Sequence, residues 1–178
     1  MSKKIFIFPF IVFLLIVFIF IISLVLNRNP SELPSVLINK EVPKFTANQL
    51  NNKKKFNSEK EFKDQVTIVN FFATWCGPCL EEHVYIMRLA KHEGIKIIGI
   101  NYKDEEEKTN IWLKKLGNPY SQILLDKNGR IGIDWGVYGI PETYIINRNG
   151  IIKFRLVGPV TKKNYSFFIK KIKETKIK

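Results

Sequence analysis

The longest apolar stretch lies at the start of the chain. From Ile5 to Leu26 no residue is charged, and only Pro9 and Ser23 interrupt the apolar character. As a helix this stretch spans about 33 Å, enough to cross the hydrocarbon core of a bilayer. A cleaved secretion signal has a shorter apolar core, about 7–15 residues, followed by small residues. Ile22, Leu24, Val25 and Leu26 leave no such cleavage site. The pattern predicts an uncleaved single-span anchor over 5–26, with residues 1–4 ahead of it. Pro30, Pro34 and two serines mark a linker over 27–39, and one folded domain is expected over 40–178.

Within that domain an extended piece through Val42, Phe45 and Leu50 turns at Asn51-Asn52. Ser58 and Glu61 have the spacing of a capping box on a short helix. Val66 to Phe72 is β-branched and aromatic, which predicts a buried strand. A helix follows, with Leu80, Val84 and Met87 at i, i+4 and i+7, Ile86 and Ala90 alongside, and Gly94 to stop it. Ile95 to Asn101 reads as the next strand. Asp104 and Glu107 open a second helix carrying Ile111, Trp112 and Leu116 and ending at Gly117. Ser121 to Leu125 is a strand. Glu142 to Ile146 and Ile151 to Val157 flank Asn149-Gly150, a hairpin signal. Tyr165, Phe168, Ile169 and Ile172 place a last amphipathic helix. This order predicts an α/β domain with a mixed central sheet flanked by helices. Phe45, Leu50, Phe71, Phe72, Trp112, Tyr144 and Phe154 are expected in its core.

Composition changes this picture little. The chain has 178 residues, 46% hydrophobic and 13% aromatic, which excludes wholesale disorder. The net charge of +13 invites a nucleic-acid reading. The aromatic residues, however, sit in apolar strand patterns without basic-aromatic interleaving, so no nucleic-acid partner is expected. Lys53–Lys55 and the lysines from Lys162 onward read as solvated surface.

The candidate chemistry lies in two cysteines. Two are too few for a disulfide-stapled scaffold or a four-cysteine zinc site. Cys76 and Cys79 sit two residues apart where a strand runs into a helix, a place where they can close a small disulfide ring. Cys76 at the helix N-terminus gains thiolate character from the dipole and free N–H groups. Cys79, one turn in, is more buried and keeps its proton longer. That asymmetry suits attack by Cys76 on a substrate disulfide, then release by Cys79. Pro78 falls in the first helical turn, where a missing N–H costs little. A structural disulfide or half a metal site is the competing reading. A metal would need His83 and His92, which lie about 13 Å apart along the helix axis. No metal or other cofactor is expected, and His83 is expected on the helix surface near the cysteines.

Trp75-Cys76-Gly77-Pro78-Cys79 after VNFFAT resembles the active-site stretch of the thioredoxin superfamily. Gly136-Val137-Tyr138-Gly139-Ile140-Pro141-Glu142-Thr143 narrows the resemblance to the DsbE/CcmG family of membrane-anchored cytochrome c biogenesis thioredoxins. Glu82-His83, Gly99 to Asp104, and Trp112 to Tyr120 are similar to that family as well. The resemblance implies a thioredoxin fold with an N-terminal extension and a central βα insertion. It implies a thiol-disulfide oxidoreductase on a single-pass anchor in a bacterial inner membrane, with the catalytic domain in the periplasm. The implied role is to keep the cysteines of apocytochrome c, or of a haem-ligation thiol protein, reduced. A membrane electron donor of the DsbD/CcdA type would re-reduce Cys76–Cys79.

The resemblance also makes Pro141 the cis-proline facing the cysteine pair, with the Ile140 backbone offered to an extended peptide, and Trp75 a contact beside Cys76. Ordinary thioredoxins carry a buried Asp six residues before the first cysteine; here that residue is Asn70, which cannot titrate. Glu82, three residues after Cys79 on one helical face, is the candidate proton acceptor, and Glu142 beside Pro141 the second. Glu81 points elsewhere. The rival readings are an anchored thioredoxin-like reductase with other envelope clients, and a thioredoxin-fold copper chaperone. The latter uses a longer cysteine spacing and a distal histidine, and no histidine follows His92.

Overall fold

The computed structural model describes residues 4–25, 36–92 and 95–177. Two compact units result, divided after Pro30. The first holds α1 (Lys4–Val25), with Pro9 inside it. Its described side chains are those of residues 8–23. Among the described residues no helix is long and apolar enough to cross a membrane. The apolar run expected from Ile5 to Leu26 extends past those side chains at both ends. Most of the expected linker, and the helix stop at Gly94, lie outside the described residues.

The second unit is a seven-stranded mixed sheet. Its elements are β1 (Thr46–Gln49), β2 (Asn52–Asn57), α2 (Ser58–Glu61), β3 (Thr67–Phe72), α3 (Gly77–Leu89), β4 (Lys96–Tyr102), α4 (Glu106–Leu116), β5 (Gln122–Asp126), α5 (Arg130–Asp134), β6 (Glu142–Ile146), β7 (Ile152–Val157) and α6 (Tyr165–Ile177). The strand order is β2-β1-β5-β4-β3-β6-β7. β3, β4 and β5 run parallel, and the remaining pairings are antiparallel. The α4–β5 unit places β5 between β4 and the β1–β2 hairpin.

Period-2 alternation divides the sheet between two cores. Ile68 and Phe72 of β3, Ile97 of β4 and Ile145 of β6 meet Cys79, Ile86 and Leu89 of α3 and Phe168 and Ile172 of α6. Val69, Phe71, Ile98, Ile100, Tyr144 and Ile146 face the other way, onto Phe62, Ile131 and Trp135. Leu50, Phe71, Phe72 and Tyr144 are buried as expected, whereas Phe45, Trp112 and Phe154 are only partly so. Trp135 is fully buried, its ring edge-on to Phe71 and Tyr144.

Several local expectations need correction. The helical face through Leu80 and Val84 is not the core face: both are about half exposed. Cys79, Glu82, His83, Ile86 and Leu89 are buried instead, because α3 turns its sulfur-bearing face to the sheet. Ile111 likewise faces out, and Thr109 and Leu113 face in. The cap of α2 is Asn57, whose side chain accepts from the Glu59 N–H. Ser58 is buried and accepts from the Phe45 N–H, tying α2 to the chain before β1. β2 and α5 went unanticipated. β2 exposes Lys53–Lys55 and buries only Phe56, so it carries no alternation to read. α5 follows the left-handed Gly129 and is held by Asp126, whose carboxylate accepts from the N–H groups of Ile131 and Gly132.

Gly99 in β4 marks a close approach between the strand backbone and two aromatic rings. A Cβ there would lie 2.8 Å from Phe72 and 3.0 Å from Tyr120. Those two rings stack with centroids 4.7 Å apart. Gly99→Ala is expected to cost about 1–3 kcal/mol by overpacking. A urea titration should show a lower midpoint with an unchanged slope; a wild-type midpoint would mean the rings give way freely.

Candidate active site

β3 ends at Phe72 and the chain reaches α3 through Ala73, Thr74, Trp75 and Cys76. Asp104 ties this turn down. Its carboxylate accepts from the Thr74 N–H at 2.6 Å, the Thr74 hydroxyl at 3.0 Å and the Asn101 amide at 3.1 Å. The Asp104 expected to open α4 therefore braces the cysteine loop instead, and α4 starts two residues later. Trp75 is 59% exposed, and its indole N–H donates to the Lys103 carbonyl.

Cys76 is the N-cap of α3, and its sulfur accepts from the Cys79 N–H at 3.2 Å. The same N–H is in place to stabilise a thiolate when the pair is reduced. Cys76 and Cys79 form a disulfide, with Cys79 the more buried, at 1% exposure against 6%. The Ile140–Pro141 peptide is cis, and the Ile140 carbonyl oxygen lies 3.6 Å from the Cys76 sulfur.

Below Cys79, Glu82 is buried on the same face of α3. One carboxylate oxygen accepts from the Asn70 amide at 2.8 Å, and the other from the Val160 N–H at 2.9 Å. Asn70 also donates to the Thr143 hydroxyl at 3.0 Å, and its carbonyl accepts from the Tyr120 hydroxyl at 2.8 Å. Burial pushes the Glu82 carboxyl up to about 7, against the opposing pull of the Val160 and Asn70 hydrogen bonds. Burial, and then the neighbouring Glu82 charge, raise the Tyr120 phenol well above its ordinary value.

Glu142 is not a second acceptor for Cys79. Along β6, Thr143 and Ile145 face α3, so Glu142 and Tyr144 face the opposite side of the sheet. There its fully buried carboxylate takes two hydrogen bonds from Arg155, at 2.7 and 2.9 Å, and one from the Tyr144 hydroxyl at 3.0 Å. Expected also as a substrate contact, Glu142 is instead fully buried. Arg155 in turn donates to the Gly136 carbonyl and lies 4.9 Å from the centre of the Tyr138 ring. The pair thus braces the 136–141 loop that ends at Pro141. Nor does His83 lie on the helix surface, where it was expected. It is 5% exposed, its Nε2–H donates to the Gly117 carbonyl, and its ring meets Trp112 edge-on. Burial lowers its proton affinity. Among the described residues no group of His, Cys, Asp or Glu is arranged to hold a metal ion.

A redoxin family model matches residues 37–167. The thiol:disulfide interchange protein DsbE of Vibrio cholerae is 45% identical over 168 residues, covering 93% of this chain and 91% of that protein. DsbE of Escherichia coli K12 is 39% identical over 178 residues, covering 98% and 96%. The chain belongs to the DsbE family of thiol:disulfide interchange proteins. Among solved structures it resembles a thioredoxin family protein, a thiol:disulfide interchange protein of Chlorobium tepidum, at 23% identity and a TM-score of 0.60. That match covers 80% of this chain and 99% of that one. A secreted Mycobacterium tuberculosis disulfide oxidoreductase homologous to E. coli DsbE matches at 17% identity and a TM-score of 0.63, covering 74% and 96%. These likenesses show the thioredoxin-like fold.

As a DsbE-family member the chain is a thiol-disulfide oxidoreductase. The arrangement offers one slightly exposed sulfur at a helix N-terminus, one more deeply buried sulfur, and a buried carboxyl of raised proton affinity beneath them. Arg155 and Tyr120 went without a role in the sequence reading, and Asp104 was read only as a helix start. Arg155 had one legible signal, a lone arginine inside an apolar strand, which needs a buried anion as its partner.

Replacing Arg155 with Met would leave Glu142 buried without its cation. That loss is expected to cost about 3–5 kcal/mol. Arg155→Met together with Glu142→Leu should recover much of it in a denaturant titration; a double variant no better than the single one would mean the pair is not what holds the loop.

Glu82 predicts a pH dependence of opposite sign to that of a salt-bridged acid. Its folded proton affinity exceeds the ordinary value of 4.5, so the folded state binds more protons between pH 4.5 and 7. Stability from this residue is therefore greatest at acid pH and falls as pH rises to about 7, by about 3 kcal/mol. The difference in unfolding free energy between wild type and Glu82→Gln should follow this curve. A difference that stays flat from pH 4 to 8 would mean Glu82 titrates normally.

Proposed function

We propose that the chain is a membrane-anchored, periplasmic reductant of cytochrome c maturation. The observation that carries the reading is the unequal pair of sulfurs, Cys76 at the helix terminus and Cys79 behind it, above a buried carboxyl in a DsbE-family chain. The Cys76 thiolate attacks one sulfur of a client disulfide. The client's other sulfur leaves as a thiolate and takes a proton from water. Cys79 then gives its proton to Glu82 and attacks the Cys76 sulfur. The Cys76–Cys79 disulfide forms, and the second client sulfur leaves as a thiolate and takes a proton from water. Two electrons pass to the client, which becomes a dithiol.

Ile140 and Trp75 flank Cys76 and suit an extended peptide, with Ile140 offering strand-like hydrogen bonds. The proposed client is apocytochrome c, whose C-x-x-C-H thiols must be free for haem attachment, or a thiol protein that serves haem ligation. A membrane donor of the DsbD/CcdA type would return the electrons. Support for the anchor comes from α1, a 22-residue helix whose described side chains from Phe8 to Ile22 are apolar and largely exposed. An oxidising periplasm supplies the disulfides that make such a reductant useful.

Cys79→Ser in the native host should accumulate a mixed disulfide through Cys76, and mass spectrometry of the trapped species should find a C-x-x-C-H peptide or a haem-ligation thiol protein. Capture of unrelated envelope proteins alone would refute the cytochrome c assignment and leave the thiol exchange standing.

The proposed orientation puts residues 27–178 outside. Alkaline phosphatase, which needs the periplasm, should be active when fused after Lys178. A cytosol-dependent reporter that works at the same position would reverse the topology.

A further inference from the structure

We propose that Tyr120 and Asn70 are positioning residues for the exchange: the Tyr120 hydroxyl selects which end of the Asn70 carboxamide faces Glu82, and so sets how readily Glu82 accepts the proton of Cys79. The inference rests on the reading of Glu82 as acceptor and extends it to two residues that touch neither sulfur.

A carboxamide has one donating and one accepting end, whereas a carboxylate only accepts. With its Nδ2 toward Glu82, Asn70 favours the charged acid. Turned over, its Oδ1 faces Glu82 and favours the protonated acid. The described contacts choose the first arrangement. The Tyr120 hydroxyl donates to Oδ1, and Nδ2 donates to Glu82 and Thr143. The phenol has no other described hydrogen-bond partner, and both Tyr120 and Asn70 are buried. Turning the amide would strand a buried O–H without an acceptor, a costly outcome in the interior. Thr143 is indifferent, because its hydroxyl can donate or accept.

The groups around Glu82 leave the choice to this contact. β3 presents Asn70, β6 presents Thr143, and the loop after β7 presents the Val160 N–H. The segment before β5 presents Tyr120, and α3 itself presents Cys79. His83 points away, to Gly117 and Trp112. Among the described residues no cation pairs with Glu82, so hydrogen bonds alone offset its burial.

The test uses the full-length chain in detergent with carboxyl-labelled glutamate. The Glu82 carbon resonance is assigned by its loss in Glu82→Gln and titrated with pH. Tyr120→Phe keeps the ring stacked on Phe72 and removes the hydroxyl. The Glu82 midpoint should rise by about one unit, a tenfold gain in proton affinity. Resolution of a Cys76 mixed disulfide, followed by stopped flow, should slow several-fold at pH 7 and return to the wild-type rate at pH 9. A merely structural defect would lower the rate at every pH. Asn70→Ala removes the donor outright and should raise the midpoint at least as far, which covers the case of a poorly folded Tyr120→Phe. An unmoved midpoint in the folded variants overturns the proposal. So does a moved midpoint with an unmoved pH profile of resolution. Wild-type resolution in Glu82→Gln defeats the acceptor reading itself, and the titration still reports separately whether Tyr120 acts on Glu82.

Discussion

A single carboxyl group, sealed beneath a disulfide, constrains most of what surrounds it. Burying Glu82 without a cation is tolerable only if other groups meet its oxygens. Asn70 from the central strand and the Val160 N–H from the loop after β7 do so. Those two contacts join α3, β3 and the approach to α6, so the helix that carries both cysteines is pinned at its first turns. The central strand presents an amide, Asn70, beneath the disulfide, and the acid sits on the helix. The titrating group is therefore a near neighbour of Cys79 along one helical face, and β3 supplies its hydrogen-bond donor.

The sheet separates two tasks by its pleat. On the α3 side lie the sulfurs, Glu82, Asn70 and Thr143. On the other side the Glu142–Arg155 pair, with Tyr144 and Trp135, holds the loop that brings Ile140 to Cys76. Neighbouring residues Glu142 and Thr143 thus serve opposite faces. A buried ion pair adds little net stability over a packed apolar pair. What it adds here is direction, since the guanidinium fork reaches Glu142 and the Gly136 carbonyl together.

Much of this was legible in the residues. Long β-branched strands, the cysteine pair at a strand-helix junction and the Asn149-Gly150 hairpin all carry strong local signals. The segment around Ile140-Pro141 was placed by family resemblance, which spacing alone would not have supplied. Glu82 was found by helical spacing from Cys79. Glu142 was assigned to the wrong side because adjacency in sequence to Pro141 suggested adjacency to the sulfurs, and only the strand parity of β6 denies it. The inward face of α3 was misread for a related reason. Counting apolar residues selected Leu80 and Val84, yet the core accepts Glu82 and His83, whose polar atoms find partners that no helical wheel displays. β2 escaped notice because three lysines mask a strand held by its pairing with β1.

That lysine-bearing strand has a consequence for how the protein meets other extended chains. Extended polypeptides pair readily with any open sheet edge. Here one edge is β2, whose outward run of Lys53–Lys55 discourages a neighbour. At the other, the segment through Asn39 and Val42 hydrogen-bonds to Gly150 and Ile152 and covers the start of β7. The β2 edge and the start of β7 are thereby guarded against adventitious strand pairing.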